Sequence, residues 1–380
     1  MKRSRGKIIK LLFIGTLAVT VAAVPEPANL SDVYATSNKA VVKSVSAIQQ
    51  KLLTAMSDRQ STVRFVYQGE TKSLKSQLKD ALDQAMASDP YIHYTIASYS
   101  YDYRGTSSSA NVTVRLSYRE TAEQTDYVNH HTESILKRII KPSMNDHEKV
   151  KAIHDWVVRN LKYDTTLTKY TAYDGLYTGS TVCQGYSLLT YKLLKEAGIQ
   201  NKIVEGTAYA SDNPKGQQHA WNLVLLDGKW YHMDTTWDDP VPDRDNEVSY
   251  TYYLRTDEQM GRDHTWIKSY PKADTLYRNT LANLAVEDRA RAGIYEEIKR
   301  DLEYQLYDSR SIVSSYGQLQ PLVKAAKTAG DKKLVFRFDG SEKELVNVLQ
   351  QLQLKSNLGS IQYYHQVFEN TDDLRVQIIW

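Results

Sequence analysis

Asp227-Gly228 constrains this chain more than any other pair of residues, because it is a two-residue hairpin turn set between two apolar runs. Counting outward from a turn that pairs Leu226 with Lys229 puts Trp221 opposite Asp234 and His219 opposite Thr236. Partners across an antiparallel pair share a face, as do residues two apart on one strand. His219 and Asp234 are therefore diagonal neighbours on one face, close enough for the carboxylate to orient the imidazole. His232 falls on that face too. A slip of one residue would send one of the pair to the opposite face.

The one cysteine, Cys183, lies in Thr-Val-Cys-Gln-Gly-Tyr, 181–186, where a helix is expected to begin. Ser180 or Thr181 is the expected N-cap. The helix would bury Tyr186, Leu189, Leu193 and Ala197 and stop at Gly198. Cys183 then sits in the first turn, where unpaired backbone N–H groups favour a thiolate and can receive an oxyanion. Gly185 is expected to let a substrate approach the backbone closely. A lone thiol is an inert buried residue, an intermolecular linker or a nucleophile. Singly, each of the three residues has a plain structural role: a buried hydrophobe, a satisfied strand histidine, a turn-forming aspartate. Together they form a nucleophile, a base and an orienting group, and Cys183, His219 and Asp234 are the expected catalytic residues. A metal set of Cys183, His219, His232 and Asp234 is the alternative. It is disfavoured by the single thiolate and the lack of a compact paired-ligand motif, so neither metal nor cofactor is expected.

Lys2, Arg3, Arg5, Lys7 and Lys10 precede an uncharged apolar run, Leu11 to Val24, the pattern of a secretory signal. Small-residue cleavage patterns follow at Val21-x-Ala23 and Val33-x-Ala35, so 1–35 is expected to be removed on export. The run is shorter than the roughly 20 residues of a membrane span. Without the five basic and two acidic residues of 1–35, the 48 basic and 45 acidic residues become 43 and 43. The formal charge of +3 therefore belongs to the export segment, and nothing argues for nucleic acid as a partner.

With no Gly/Ser- or Pro-rich linker, the domains are expected to pack together. Residues 36–140 read as an N-terminal α+β module: a helix within 39–57, a strand at Thr62–Gln68, a helix at Thr71–Met86, strands at Tyr91–Tyr103 and Asn111–Arg119, and a helix at 121–140. Residues 141–270 carry the chemistry and open on a capping box, Asn145-Asp-His-Glu148. A helical connector spans 271–330. Residues 331–380 repeat the β-α-β-β plan of the first module, with Leu334–Gly340 resembling Val63–Gly69. Twenty-eight tyrosines against five phenylalanines, many at strand spacing, suggest sheet surfaces that are partly wet.

The segment about 145–266 resembles the transglutaminase-like superfamily, in the branch of bacterial secreted proteins related to kyphoscoliosis-type proteins. The matching stretches are Glu148–Trp156, Tyr163-Asp164, Ala172-Tyr173, Val182–Tyr186, Glu196–Gly198, His219-Ala-Trp-Asn-Leu223, Asp227–Pro240, Tyr252-Tyr-Leu and His264-Thr-Trp266. The resemblance implies an α+β, papain-like core. In it a helix-borne Cys183 packs on an antiparallel sheet carrying His219 as base and Asp234 as orienting carboxylate. It implies a thioester intermediate, resolved by water in a peptidase or amidase and by an amine in a crosslinking enzyme. Hydrolysis is favoured here, because nothing marks a lysine-binding site. Gln184 and Tyr173 are candidate side-chain oxyanion donors. The expected substrate is a protein or peptide at the cell surface or in the wall. The alternative is a non-catalytic surface or wall-binding module that keeps the fold.

Overall fold

The structure is a computed structural model that describes residues 40–210, 213–239, 248–356 and 358–380. The expected export segment, 1–35, and Pro240 of the hairpin motif lie outside the described residues. The chain forms two compact units, one ending at Thr275 and one running Leu276–Trp380.

The first unit opens with β1 (Val41–Val42), α1 (Val45–Ser57), β2 (Thr62–Gln68), α2 (Leu74–Ala87), α3 (Pro90–Thr95), β3 (Ile96–Gly105) and β4 (Ser109–Tyr118). Ser44 starts α1 by accepting the Ala47 N–H. The alternation of β2 buries Val63, Phe65 and Tyr67, and α2 turns Leu74, Leu78, Ala81, Leu82 and Met86 onto them as one core. The sheet order is β1-β2-β4-β3, with β1 parallel to β2 and the other pairs antiparallel. The expected strand Tyr91–Tyr103 is corrected at its start. Asp89 accepts the Tyr91 N–H and Pro90 occupies the first helical position, so Pro90–Thr95 is a helix and the strand begins at Ile96.

The unit continues with α4 (Ala122–Ile139), α5 (Asp146–Asn160), β5 (Lys162–Tyr163), α6 (Ala172–Thr178), β6 (Ser180–Thr181), α7 (Cys183–Glu196), β7 (Asn201–Ala210), β8 (Asn213–Leu226), β9 (Lys229–Met233), α8 (Asp257–Met260) and β10 (His264–Trp266). Asn145 and Glu148 close the expected capping box on α5. The hairpin strands are not alone: they belong to a four-stranded antiparallel sheet in the order β10-β7-β8-β9. Helix α7 lies against β7 and β8, and the Asn222 side chain of β8 donates to the Ser187 carbonyl of α7 at 3.1 Å.

The first sheet is fastened to this core by a buried carboxylate and a surface ion pair. Glu120 accepts from the Tyr91 hydroxyl at 2.7 Å and from the Tyr173 N–H at 3.1 Å, and at the surface Lys195 pairs with Asp89 at 2.8 Å. Satisfied on both sides, Glu120 can be buried without an unpaired acceptor.

The second unit comprises α9 (Tyr277–Glu287), α10 (Ala292–Asp301), β11 (Ile312–Val313), α11 (Tyr316–Ala329), β12 (Lys333–Phe338), α12 (Glu342–Lys355), β13 (Gln362–Val367) and β14 (Leu374–Ile379). Its sheet order is β11-β12-β14-β13, with β11 parallel to β12 and the rest antiparallel. This is the order and direction of the first sheet. The likeness of the two ends extends back beyond β-α-β-β by one strand and one helix, and the first copy alone adds α3. Among the described residues, no helix is long and apolar enough to cross a membrane.

Candidate active site

The β8–β9 turn has positive φ at both central residues, 49° at Asp227 and 74° at Gly228, as a two-residue hairpin with native twist requires. The ladder runs from Leu226↔Lys229 to Asn222↔Met233, the register counted from the sequence. It stops there because the Asp234 N–H turns to the Tyr252 carbonyl at 3.1 Å. One step beyond the ladder, His219 Nε2 donates to Asp234 Oδ2 at 2.6 Å, and both side chains are fully buried. Asp234 Oδ1 accepts the N–H groups of Thr236 and Trp237 at 2.9 and 3.2 Å. Burial pushes the Asp234 carboxyl up, but the charge and hydrogen bonds of His219, and then of His264, outweigh it and hold the group well below the usual carboxylate range. Asp234 is therefore an anion that fixes one tautomer of a neutral His219, with the proton on Nε2.

Cys183 is the first residue of α7 and is fully buried. The expected cap is corrected: Val182 occupies the N-cap position, with no side-chain cap. Ser180 and Thr181 instead form β6, which pairs in parallel with β5 through Lys162↔Ser180 and Tyr163↔Thr181. Thr181 Oγ1 donates to the Lys169 carbonyl at 3.0 Å. Gly185 is also corrected. A Cβ there would stand 1.9 Å from Thr181 Oγ1 and 2.7 Å from the Thr171 carbonyl, so its smallness serves packing under α7 and not a substrate.

The β5–β6 pair carries Tyr163 to the site. Burial pushes its hydroxyl well above the ordinary phenol range, and the charges of Cys183, Asp164, Tyr170 and Asp234 add to that effect. The Tyr94 hydroxyl of α3 is raised in the same way, first by burial, with Glu205 and Cys183 contributing. Both phenols stay protonated at neutral pH and are hydrogen-bond donors. Gln184, a candidate donor from the sequence, turns its amide to the Tyr94 carbonyl at 3.4 Å. Tyr173, the other candidate, stacks on Tyr177 with ring centroids 5.2 Å apart.

His232 lies on the expected face, but its ring is used structurally: Nδ1 accepts from Trp221 Nε1 and Nε2 donates to Asp257, both at 2.9 Å. The four-residue metal set of the sequence is thus not assembled. Donor atoms of His219, Asp234 and His264 do lie within 4.8 Å of one another. Two tetrahedral ligands at about 2.0 Å from a metal would stand about 3.3 Å apart. The 2.6 Å separation of His219 and Asp234 is that of a hydrogen bond instead.

Residues 133–235 match the model of the transglutaminase-like superfamily. This segment is a transglutaminase-like core. Kyphoscoliosis peptidase of Mus musculus is 30% identical over 115 residues, which cover 27% of this chain and 17% of the relative. The Homo sapiens protein of the same name is 29% identical over 117 residues, covering 28% of this chain and 18% of the relative. The chain thus matches less than a fifth of the length of these curated relatives. A solved structure of a TGase is similar with a TM-score of 0.25 and 15% identity over 50% of this chain and 55% of that one, too distant a likeness to argue from.

Behind the transglutaminase-like hairpin a second buried network ties α5 to the residues after Asp234. His154 Nε2 contacts Asp238 Oδ2 at 3.0 Å, His154 Nδ1 contacts Asp155 Oδ1 at 3.2 Å, and Lys151 pairs with Asp155 at 2.8 Å. Burial raises the Asp155 carboxyl, but the bonds and charges of His154 and Lys151 outweigh it and hold it at about 2. A carboxyl lowered in the folded state stabilises fully above its unfolded value near 4, and that stabilisation is lost as pH falls through the folded value. Urea unfolding is expected to weaken by roughly 2 kcal/mol between about pH 4 and pH 2 from this group, and Asp155→Asn to flatten that dependence. An unchanged slope in the variant would show that Asp155 is not held in this way.

Proposed function

We propose that this chain is an exported thiol-dependent hydrolase or acyltransferase that acts on peptide or amide bonds through Cys183, His219 and Asp234. The 2.6 Å bond between His219 and Asp234 carries the reading, with Cys183 at the mouth of the helix that packs on the same sheet. In the reaction, the Cys183 S–H gives its proton to His219 Nδ1. The thiolate attacks the carbonyl carbon, and the C=O electrons move to oxygen. As the oxyanion collapses the C–N bond breaks, His219 returns the proton to the departing nitrogen, and a thioester remains on Cys183. Water or an amine then attacks the thioester carbon while His219 accepts its proton, the C–S bond breaks as the adduct collapses to the acid or amide, and His219 returns that proton to the departing thiolate. Water as acceptor is favoured, and the basic-apolar segment at 1–35 supports a substrate at the cell surface or in the wall.

Tyr163 is assigned as a donor to the oxyanion, because it pairs with Thr181, two residues before Cys183, and its hydroxyl stays protonated. Tyr163→Phe is expected to lower kcat by about 100-fold with KM little changed. An unaltered kcat would remove this role.

The full burial of Cys183 favours a second reading, a binding module that does no chemistry. Both are tested by incubating the protein with mixed peptides, with and without a primary amine, beside Cys183→Ala. Cleaved or deamidated peptides that depend on Cys183 support hydrolysis, and amine incorporation that depends on Cys183 supports transfer. Peptide mixtures identical to those of Cys183→Ala in both arms would leave the binding module.

A further inference from the structure

His264, at the start of β10, has no part in the three-residue mechanism, yet its ring lies 5.4 Å from that of His219. It is buried between two carboxylates: Nδ1 is 2.7 Å from Asp263 Oδ1 and Nε2 is 3.3 Å from Asp234 Oδ2. Ionised carboxylates only accept, and a neutral imidazole has one N–H to give. Nδ1 hydrogen-bonds Asp263, while the Nε2 approach to Asp234 is a charge contact without hydrogen-bond geometry, and a ring set this way between two carboxylates is favoured as the imidazolium. Asp263 is itself held by the Tyr252 hydroxyl, which donates to its Oδ2 at 2.5 Å. Trp237 and Trp221 close the space, with centroids 4.6 and 5.0 Å from the His264 ring.

We propose that His264 is a positioning residue for Asp234 and that its positive charge sets the upper pH limit at which His219 keeps Cys183 activated. The inference rests on the catalytic reading of Cys183, His219 and Asp234. Asp234 Oδ2 is shared by two imidazole rings, since His219 approaches it at 2.6 Å from one side and His264 at 3.3 Å from the other. A positive charge about 5 Å from the His219 ring opposes the second imidazolium, and in a buried, water-poor site that opposition is not screened away. The charged or titratable groups facing His264 are Asp234, Asp263, His219, His232 and Tyr252. Burial lowers His232 first and Asp257 opposes that, while His264 is among the charges that keep it low. The Tyr252 phenol is raised by burial and by Asp263. Among these groups, His219 is the one whose charge changes during turnover.

The test is the rate of Cys183 alkylation by iodoacetamide as a function of pH, in the wild-type chain, His219→Ala, His264→Gln and Asp263→Asn. The wild type is expected to show a His219-dependent limb at its basic end. In His264→Gln, loss of the opposing charge lets His219 hold its proton longer, and that limb is expected to move up by about one pH unit. Asp263→Asn removes an anion that keeps His264 charged while leaving the ring in place, and the same upward movement is expected. It also carries the test if His264→Gln does not fold. Slower alkylation with an unmoved basic limb in the folded variants would make His264 merely structural and overturn the inference. If the wild type itself lacks any limb that His219→Ala removes, the catalytic reading fails, and this inference with it.

Discussion

Cys183→Ala is expected to lose at least about 10⁴-fold of any peptide hydrolysis or acyl transfer while keeping its fold. In the proposed reaction the covalent intermediate falls to Cys183, because His219 is committed through Nε2 to Asp234, and Asp234 holds two backbone N–H groups on its other oxygen. The substitution removes one buried sulfur and leaves a small apolar cavity, a cost on the order of 1 kcal/mol. Activity and thermal unfolding measured on the same sample separate these effects. A folded Cys183→Ala protein at wild-type rate would exclude thiol chemistry altogether.

Asp234→Asn has the second-largest expected effect, a fall of about 10³- to 10⁴-fold in kcat. Asp234 Oδ1 is pinned by the N–H groups of Thr236 and Trp237, so the amide that replaces the carboxylate keeps its oxygen there and turns its NH2 toward His219. A donor facing Nε2 makes that nitrogen the acceptor and moves the ring proton to Nδ1, the position that must accept from Cys183. The loss is therefore one of tautomer and charge more than of shape. The variant also leaves His264 with one carboxylate in place of two, and a stability loss of about 3 kcal/mol is expected. Urea unfolding gives that loss, and kcat on the folded fraction gives the chemistry. A kcat within tenfold of wild type would mean that Asp234 does not orient His219.

The hairpin was legible because a two-residue turn leaves no freedom: Asp227-Gly228 fixes Leu226 against Lys229, and each pair outward follows from a period of two. The capping box at Asn145 and the apolar stripe of α2 were legible for the same reason, since both are patterns within a few residues. The start of α3 was missed because Tyr91-Ile-His-Tyr reads as strand by residue type, while Asp89-Pro90 in front of it decides for a helix. Asp89-Pro90 was the available signal. The cap of α7 was missed because Ser180 and Thr181 are good caps by type but are drawn into pairing with β5, a partner far back in the chain.

Two residues of the site lay within the family-like stretches without a role. Tyr163 is brought opposite Thr181, two residues before Cys183, by the β5–β6 pair, and His264 reaches Asp234 through β10, at the far edge of the sheet from β9. Neither approach follows from local spacing, because each depends on how strands order themselves after the chain has crossed the sheet. The repeated β-α-β-α-β-β module was half visible. Its two-residue opening strands, Val41–Val42 and Ile312–Val313, are too short to leave a periodic signal and are recognisable only by their parallel partners.

The most direct measurement is a stopped-flow burst with p-nitrophenyl acetate, followed by peptide mass mapping of the quenched protein. The expected result is release of about one equivalent of nitrophenol per chain, an acetyl group on the peptide holding Cys183, no burst in Cys183→Ala, and a burst at least about 100-fold slower in His219→Ala. A wild-type protein with no burst, or with its acetyl group on another residue, would contradict Cys183 as the nucleophile.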